Sequence, residues 1–482
     1  MKRITAIIVL LFMVFTAEAK VKLPALVGDN MVLQRNSKVN IWGWADPGKN
    51  ISITTSWNGK SYTTQSRNDG TWKTEVETTE AGGPYEIRIG DGETVVLQNI
   101  MLGEVWVCSG QSNMEMKLKG YIGQPVNGAN EAVAHAGKYP NLHLFTVKKK
   151  RSETPLDDVQ GEWMASSPLS AVDFSAVGFY FGRQLNEILD VPMGMICSAW
   201  SGSYIEAWIT EELQENFKTP PGAHTFPAEL YNGMIHPLLN YGIAGWLWYQ
   251  GESNRIYPTD YAELMGRMVG LWREKWGRGE LPFYYTQIAP YIYSDGTDGA
   301  STPLVRDQQV IAMRQIQNTG MAVTMDIGDP VNIHPAEKRI VGERLSYWAL
   351  SETYGFKGIA FRAPEYQSME VNADSTVTVR FGYPEEQSQG RLPFDNGLAP
   401  WDIEFDGFEL AGVDQVFYPA KAKVDKTGRR NSVTVRSEQV PSPVAVRYCW
   451  KNYTTGTLFS TMGLPVSSFR TDNWEIRTDY SE

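Results

Sequence analysis

The sequence predicts an α/β protein in which a parallel sheet covered by helices lies between two β-rich flanks. Three observations predict it. Through the middle of the chain, about 102–357, apolar strand-like runs alternate with runs of helical spacing. Residues 20–101 and 358–482 carry short alternating runs separated by turn signals. At 482 residues the chain has room for roughly two to four domains and a large core.

The elements follow in order. Lys2 and Arg3 precede the apolar stretch from Ile4 to Phe15, which is too short to span a bilayer comfortably. Thr16-Ala17-Glu18-Ala19 then offers a cleavage site, so residues 1–19 read as a signal peptide. That predicts an exported, periplasmic or extracellular chain with no stable membrane insertion after cleavage. Residues 20–101 contain Val39–Trp44, Ile51–Thr55 and Tyr85–Ile89, divided by Asp46-Pro47-Gly48 and Asn68-Asp69-Gly70, and read as a sandwich-like β region. In the middle, Phe174, Val177, Phe181, Leu185 and Ile188 recur at helical spacing before the run Met193–Cys197. Tyr261, Leu264, Met268, Leu271 and Trp272 do the same before Phe283–Ile288. Residues 358–482 return to short strands, including Thr376–Phe381, Ile403–Phe408, Ser432–Val435 and Val444–Trp450. Tyr293–Ser301 reads as a surface loop, and 117–170, with several Pro and Gly, as a segment beside the mouth of a site.

Composition narrows the class. A net charge of −11 argues against nucleic acid as a partner. The 16 Trp and 23 Tyr suit stacking on sugar rings, although many such residues serve the core and do not choose a ligand. Three cysteines, Cys108, Cys197 and Cys449, make no disulfide framework. Cys108 and Cys197 each end a predicted buried strand and read as reduced core residues; a bridge between them is the alternative in an oxidising compartment. No spacing suggests a metal site.

Four strings carry the chemistry. In Leu102–Met116 the apolar run Val105-Trp106-Val107-Cys108 stops at small and polar residues, and Ser112 stands two residues past Gly110. A strand that ends at a glycine-permitted turn can present a hydroxyl at its C-terminal edge. This is not the Gly-x-Ser-x-Gly elbow, and taken alone it is more often an ordinary turn. In Met321–Pro335 a strand runs into a loop with Asp326, Asp329 and His334, ahead of a helical segment. A histidine there can serve as general base toward a serine on a neighbouring strand edge. The other histidines, His135, His143, His224 and His236, lack that setting. In Gly194–Trp208 a buried strand leads to Gly202, whose N–H is unobstructed by a side chain. In Gly245–Asn254 another strand ends in the amides of Gln250 and Asn254. A backbone N–H plus a side-chain amide is what an acyl-transfer oxyanion needs.

In chain order these are nucleophile, donor, donor and base, and they resemble the sequence blocks of the SGNH hydrolases, specifically the sialate O-acetylesterase family. The resemblance rests on Gly-Gln-Ser-Asn-Met at 110–114, Trp-Ser-Gly-Ser-Tyr-Ile-Glu-Ala-Trp at 200–208, Trp-Tyr-Gln-Gly-Glu-Ser-Asn at 248–254, and Asp-Ile-Gly-Asp-Pro-Val-Asn-Ile-His-Pro at 326–335. It extends to Tyr231–Ile235, Gly463-Leu464-Pro465 and Phe469–Asp472. It implies an SGNH-type three-layer α/β/α hydrolase domain at 102–357. It also implies Ser112 as nucleophile, His334 as base, and oxyanion donors from the Ser112 and Gly202 N–H groups and the Gln250 amide. Two departures matter. Ser201 replaces a glycine beside Gly202. The usual Asp-x-x-His spacing is absent, since Val331 stands third before His334, and Asn332 stands where relatives often have Asp. The orienting acid is therefore Asp329, Asp326 or none, with Asn254 a secondary site candidate. The expected function is a secreted serine esterase that needs no cofactor or metal and removes O-acetyl groups from sugars, O-acetylated sialic acids foremost. Acetylated plant polysaccharides or oligosaccharides are the alternative substrates, and a non-catalytic glycan-binding protein the alternative class. A histidine base predicts a rate that rises with pH through a pKa near that of imidazole, roughly 6.5 before perturbation.

Overall fold

The computed structural model describes residues 21–218, 226–294, 299–384, 396–426 and 430–476. The expected signal peptide and His224 lie outside the described residues, as does part of the loop expected at 293–301.

One strand organises the molecule. Thr94–Gly110 is 17 residues long and serves two neighbourhoods. Its first half pairs antiparallel with Gly82–Gly90, and Met101–Gly103 pairs parallel with Val32–Gln34, which ties it to the N-terminal β region. Its second half is the centre of a sheet ordered Thr319–Ala322, Phe283–Thr286, Gly245–Tyr249, Thr94–Gly110, Met193–Ala199, Leu142–Thr146, Trp163–Ala165. All neighbours in that order are parallel except the last pair. Parallel strands linked by crossovers are covered on both faces, so they read as continuous apolar runs. Met193–Ala199 and Gly245–Tyr249 are buried at every residue.

Strand pleating sends alternate side chains to opposite faces. Trp106 and Cys108 enter one core, and Val105 and Val107 enter the other. The first core holds Val177, Phe181 and Leu185 of helix Ala176–Leu189, and Val341, Leu345 and Trp348 of helix Lys338–Trp348. The second holds Leu264, Met268 and Trp272 of helix Tyr261–Trp276, together with Ile41, Ile53 and Ile89 from the N-terminal strands. The helices start and stop where local chemistry dictates. Ser175 accepts the Gly178 N–H to cap Ala176–Leu189, and Tyr261–Trp276 ends at Gly277 with φ +62°.

The C-terminal region is a seven-stranded antiparallel sheet ordered Glu365–Val371, Val377–Gly382, Ser432–Arg436, Phe417–Val424, Glu404–Ala411, Ala445–Tyr448, Phe469–Arg470. It shares the first core. Buried Arg306 helps dock it, donating to the Cys449 carbonyl at 3.1 Å, the Lys451 carbonyl at 2.6 Å and Ser468 Oγ at 3.1 Å. Cys108 and Cys197 are register neighbours on adjacent strands, yet all three cysteines are free and buried. Burial pushes the Cys197 thiol up to about 12, so it is inert as a nucleophile. Among the described residues no helix is long and apolar enough to cross a membrane.

Candidate active site

The strand order reverses at the centre of the sheet, the position at which open α/β sheets form a ligand crevice beyond the strands' C-terminal ends. The Ser112 turn lies at that point. Gly110 has φ +130°, and a Cβ there would lie 2.3 Å from the Tyr249 carbonyl oxygen of the adjacent strand. Only glycine permits so close an approach. Ser112, half-buried, opens the short helix Ser112–Glu115. The first amides of a helix have no intrahelical partner, so they face whatever occupies the crevice.

The turn is tied to three other segments. Gln111 Oε1 accepts the Gly251 N–H at 3.3 Å and the Ser253 N–H at 3.4 Å. Asn113, fully buried, donates to Glu252 Oε1 at 2.6 Å and to the Ile333 carbonyl at 3.2 Å, next to His334. Tyr121 donates its hydroxyl to the Ser112 carbonyl at 3.0 Å and sets its ring edge-on to the His334 imidazole, centroids 5.0 Å apart. Burial pushes that phenol up to about 12, so it remains a donor. Ser112 and His334 therefore belong to one site.

The Gly202 loop is fastened to the same turn. Ser201 donates its N–H and its Oγ to Glu115 Oε2, each at 2.7 Å, and Lys149 pairs with Glu115 Oε1 at 2.7 Å. Gly202 has φ +73°, which suits the glycine the sequence places there. Beside it Lys149 and Arg151 both lie over the Trp200 ring, 5.2 and 5.3 Å from its centroid.

Two amides stand differently from expectation. Gln250 is fully buried, and its Nε2 donates to the Ser203 carbonyl at 3.1 Å and to Asn254 Oδ1 at 2.7 Å. Asn254 Oδ1 also accepts the Ile205 N–H at 3.1 Å, while its Nδ2 donates to Glu206 Oε2 at 2.9 Å. Both hydrogens of the Gln250 amide are thus used, because buried donors must be paired. The geometry makes Gln250 and Asn254 braces beneath the Gly202 loop and leaves no Gln250 N–H for an oxyanion.

The acids also differ from expectation. His334 Nδ1 lies 2.5 Å from Gln124 Oε1. Asp329 Oδ1 accepts the Val331 and Asn332 N–H groups at 2.8 and 2.9 Å, and Asn332 Oδ1 accepts the His334 N–H at 3.0 Å. Asp326 forms a two-pronged pair with Arg344, 2.7 Å at each oxygen. Asp329 therefore shapes its own loop by the turn chemistry of an Asp before proline, and Asp326 clamps the strand end to a helix. The partner of the imidazole is a neutral amide instead. With the amide oxygen as acceptor, the ring proton belongs on Nδ1 and Nε2 is the nitrogen with the lone pair. Burial first, then the positive charge of Lys338, hold His334 down to about 4, with Glu115 opposing. That is a perturbation from the roughly 6.5 of a free imidazole.

Two other histidines have backbone partners away from Ser112. His236 bonds the Leu156 carbonyl, and His143 lies between the carbonyls of Asn30 and Pro140. Tyr121, Gln124, Asn113, Glu115, Glu252 and Lys338 went unnoticed as site residues. The one signal for Tyr121 and Gln124 was their position in the Pro- and Gly-bearing segment expected at the mouth. Among the described residues no cluster of three or more His, Cys, Asp or Glu side chains is placed to hold a metal ion.

The family model described as "Carbohydrate esterase, sialic acid-specific acetylesterase" matches residues 102–350. The chain belongs to this family. It is an ester hydrolase. Human sialate O-acetylesterase is 29% identical over 409 residues, covering 75% of this chain and 77% of that protein. The Mus musculus sialate O-acetylesterase is 28% identical, covering 72% and 76%. Among solved structures, a carbohydrate acetylesterase from Xanthomonas citri superposes with a TM-score of 0.84 at 35% identity, covering 94% of this chain and all of that one. The matched span of the carbohydrate esterase family contains all four strings that meet at the crevice.

Proposed function

We propose that the protein is an exported serine esterase that removes O-acetyl groups from sugars, O-acetylated sialic acids foremost, on an SGNH-type three-layer domain. What supports this is that the Ser112 turn and the His334 loop are joined through Tyr121 and Asn113, with Gln124 Oε1 at His334 Nδ1. His334 Nε2 takes the Ser112 proton as Oγ attacks the acetyl carbonyl. The Ser112 and Gly202 N–H groups receive the oxyanion. The C–O bond to the sugar breaks, and the His334 imidazolium protonates the leaving alkoxide. Water, deprotonated by His334, then attacks the acetyl-enzyme, releasing acetate and restoring Ser112.

The acid of a full triad has no counterpart in this scheme. Gln124 orients the imidazole, giving a Ser112–His334 dyad in which a neutral dipole stabilises the imidazolium less than a carboxylate would. The sialic acid preference is supported by the family model and by the sialate O-acetylesterase relatives. Export follows from residues 1–19, and we take 20–101, 102–357 and 358–482 as the three units of the chain. An acetate-release screen across acetylated sialosides, pectin fragments and xylan tests the reading. Release is expected first from sialosides. Faster release from xylan would overturn the substrate class, and no release from any ester, 4-nitrophenyl acetate included, would leave glycan binding as the function.

A further inference from the structure

Lys338 is the first residue of helix Lys338–Trp348 and is fully buried. Both facts run against stability. An ammonium loses much hydration free energy on burial, and the N-terminal end of a helix repels positive charge. A local rule broken at a buried position marks a functional constraint. The contacts show which one. Nζ donates to Asn113 Oδ1 at 2.7 Å and to the Pro335 carbonyl at 2.7 Å. Asn113 follows Ser112 in the chain, and Pro335 follows His334. One ammonium thus grips the next-door neighbour of each reacting residue.

We propose that Lys338 is a positioning residue that locks the His334 loop onto the Ser112 turn, a role that rests on the esterase reading above. Asn113 completes the lock through Glu252 Oε1 at 2.6 Å and the Ile333 carbonyl at 3.2 Å. Three segments meet there: the turn after the central strand, the loop after Gly245–Tyr249, and the start of helix Lys338–Trp348. No motif on a single segment specifies the spacing between Ser112 and His334, so a bridge must supply it.

The charge has a second consequence. The titratable groups around Lys338 are Glu252, the Tyr249 ring with its centroid 5.7 Å from Nζ, and His334, which also feels Glu115. Burial pushes Lys338 down to about 7 against the pull of Glu252, whose own carboxyl is raised by burial. Below that pH Lys338 is charged and holds His334 neutral. Replacing it with an uncharged side chain should raise the pKa of His334 and move the acid limb of kcat/KM to higher pH. A residue that only filled space would not move that limb.

The test uses the full-length protein and 4-nitrophenyl acetate, with circular dichroism as the folding control. Lys338→Met is expected to fold, to lose about 100-fold in kcat with little change in KM, and to shift the acid limb upward. A folded Lys338→Met with kcat within about twofold of wild type, or with its acid limb unmoved, overturns the proposal. Asn113→Ala removes the other end of the bridge and keeps the charge. It is expected to lose kcat similarly with the acid limb in place, and wild-type turnover by this variant also overturns the proposal, whether or not Lys338→Met folds. Ser112→Ala run alongside separates the two readings. If it stays active, Ser112 is not the nucleophile and the reading on which the lock rests fails. If it is dead while the Lys338 and Asn113 variants behave as wild type, only the lock fails.

Discussion

The backbone of the turn at Ser112 is confined by its own strand and the strand beside it, whereas the imidazole of His334 is set by residues scattered along the chain. Gly110 has the Tyr249 carbonyl against it, Gln111 N donates to that same carbonyl at 2.9 Å, and Ser112 follows directly. His334 instead depends on Gln124 at Nδ1, Tyr121 at the ring face and Lys338 at the next peptide. The difference teaches that a nucleophile can be encoded as a local geometry, while a base is tuned by partners that sequence proximity does not reveal.

The sharpest way to break the comparison is to remove the hydroxyl. Ser112→Ala is expected to lose more than about 1,000-fold in kcat with an unchanged circular dichroism spectrum. Comparable turnover in variant and wild type would move the nucleophile elsewhere and undo the comparison at its root. Gly110→Ala attacks the local geometry itself. A Cβ 2.3 Å from a carbonyl oxygen, at φ +130°, should cost about 3 kcal/mol or more, read as a lowered denaturant midpoint. A variant as stable as wild type would mean that the turn is not confined by its neighbouring strand.

Gln124 tests the distant half. Gln124→Ala should lower kcat about tenfold, since Nδ1–H loses its acceptor and the imidazole loses its orientation. The wild-type kcat/KM should hold down to an acid limb near pH 4, because the His334 pKa is depressed and the base is neutral above it. Gln124→Glu places a carboxylate where the amide stands, favours the imidazolium and should move that limb upward. A wild-type limb near 6.5, or a limb unmoved in Gln124→Glu, counts against the contact.

The two aspartates give smaller effects of opposite kind. Asp326→Asn breaks the two-pronged pair with half-buried Asp326 and buried Arg344, so the melting temperature should fall, by about 2 kcal/mol of stability. Asp329→Asn keeps an oxygen for the Val331 and Asn332 amides, so kcat should stay within about threefold of wild type. A kcat loss of orders of magnitude at Asp329 would restore the triad acid and make the base loop as locally encoded as the turn.

Much of this architecture was legible in the residues. Runs such as Met193–Cys197 announced themselves because a strand covered on both faces must be apolar throughout. The turn at Ser112 was legible because a strand-ending glycine and a hydroxyl are neighbours in the chain, and Gly202 stood out because no side chain obstructs its N–H. Gln250 and Asn254 were misread, because an amide's chemistry does not say where its hydrogens go. Burial decided that both Gln250 hydrogens brace the Ser203 and Asn254 oxygens. Asp326 and Asp329 were misread because either could reach an imidazole from a loop of that length. Arg344, eighteen residues on from Asp326, and the local amides captured them first.

The sequence by itself determined the alternation of strands and helices, the turn that exposes Ser112, and the family's four strings. These depend on periodicity and on the backbone freedom of single residues, which are properties of neighbours. Only the tertiary structure decided what holds His334, what its pKa becomes, and which buried ammonium joins it to the Ser112 turn. Those depend on Gln124 at the His334 ring and on buried Lys338 at Asn113 and the Pro335 carbonyl, contacts between segments far apart in the chain that the local sequence does not specify.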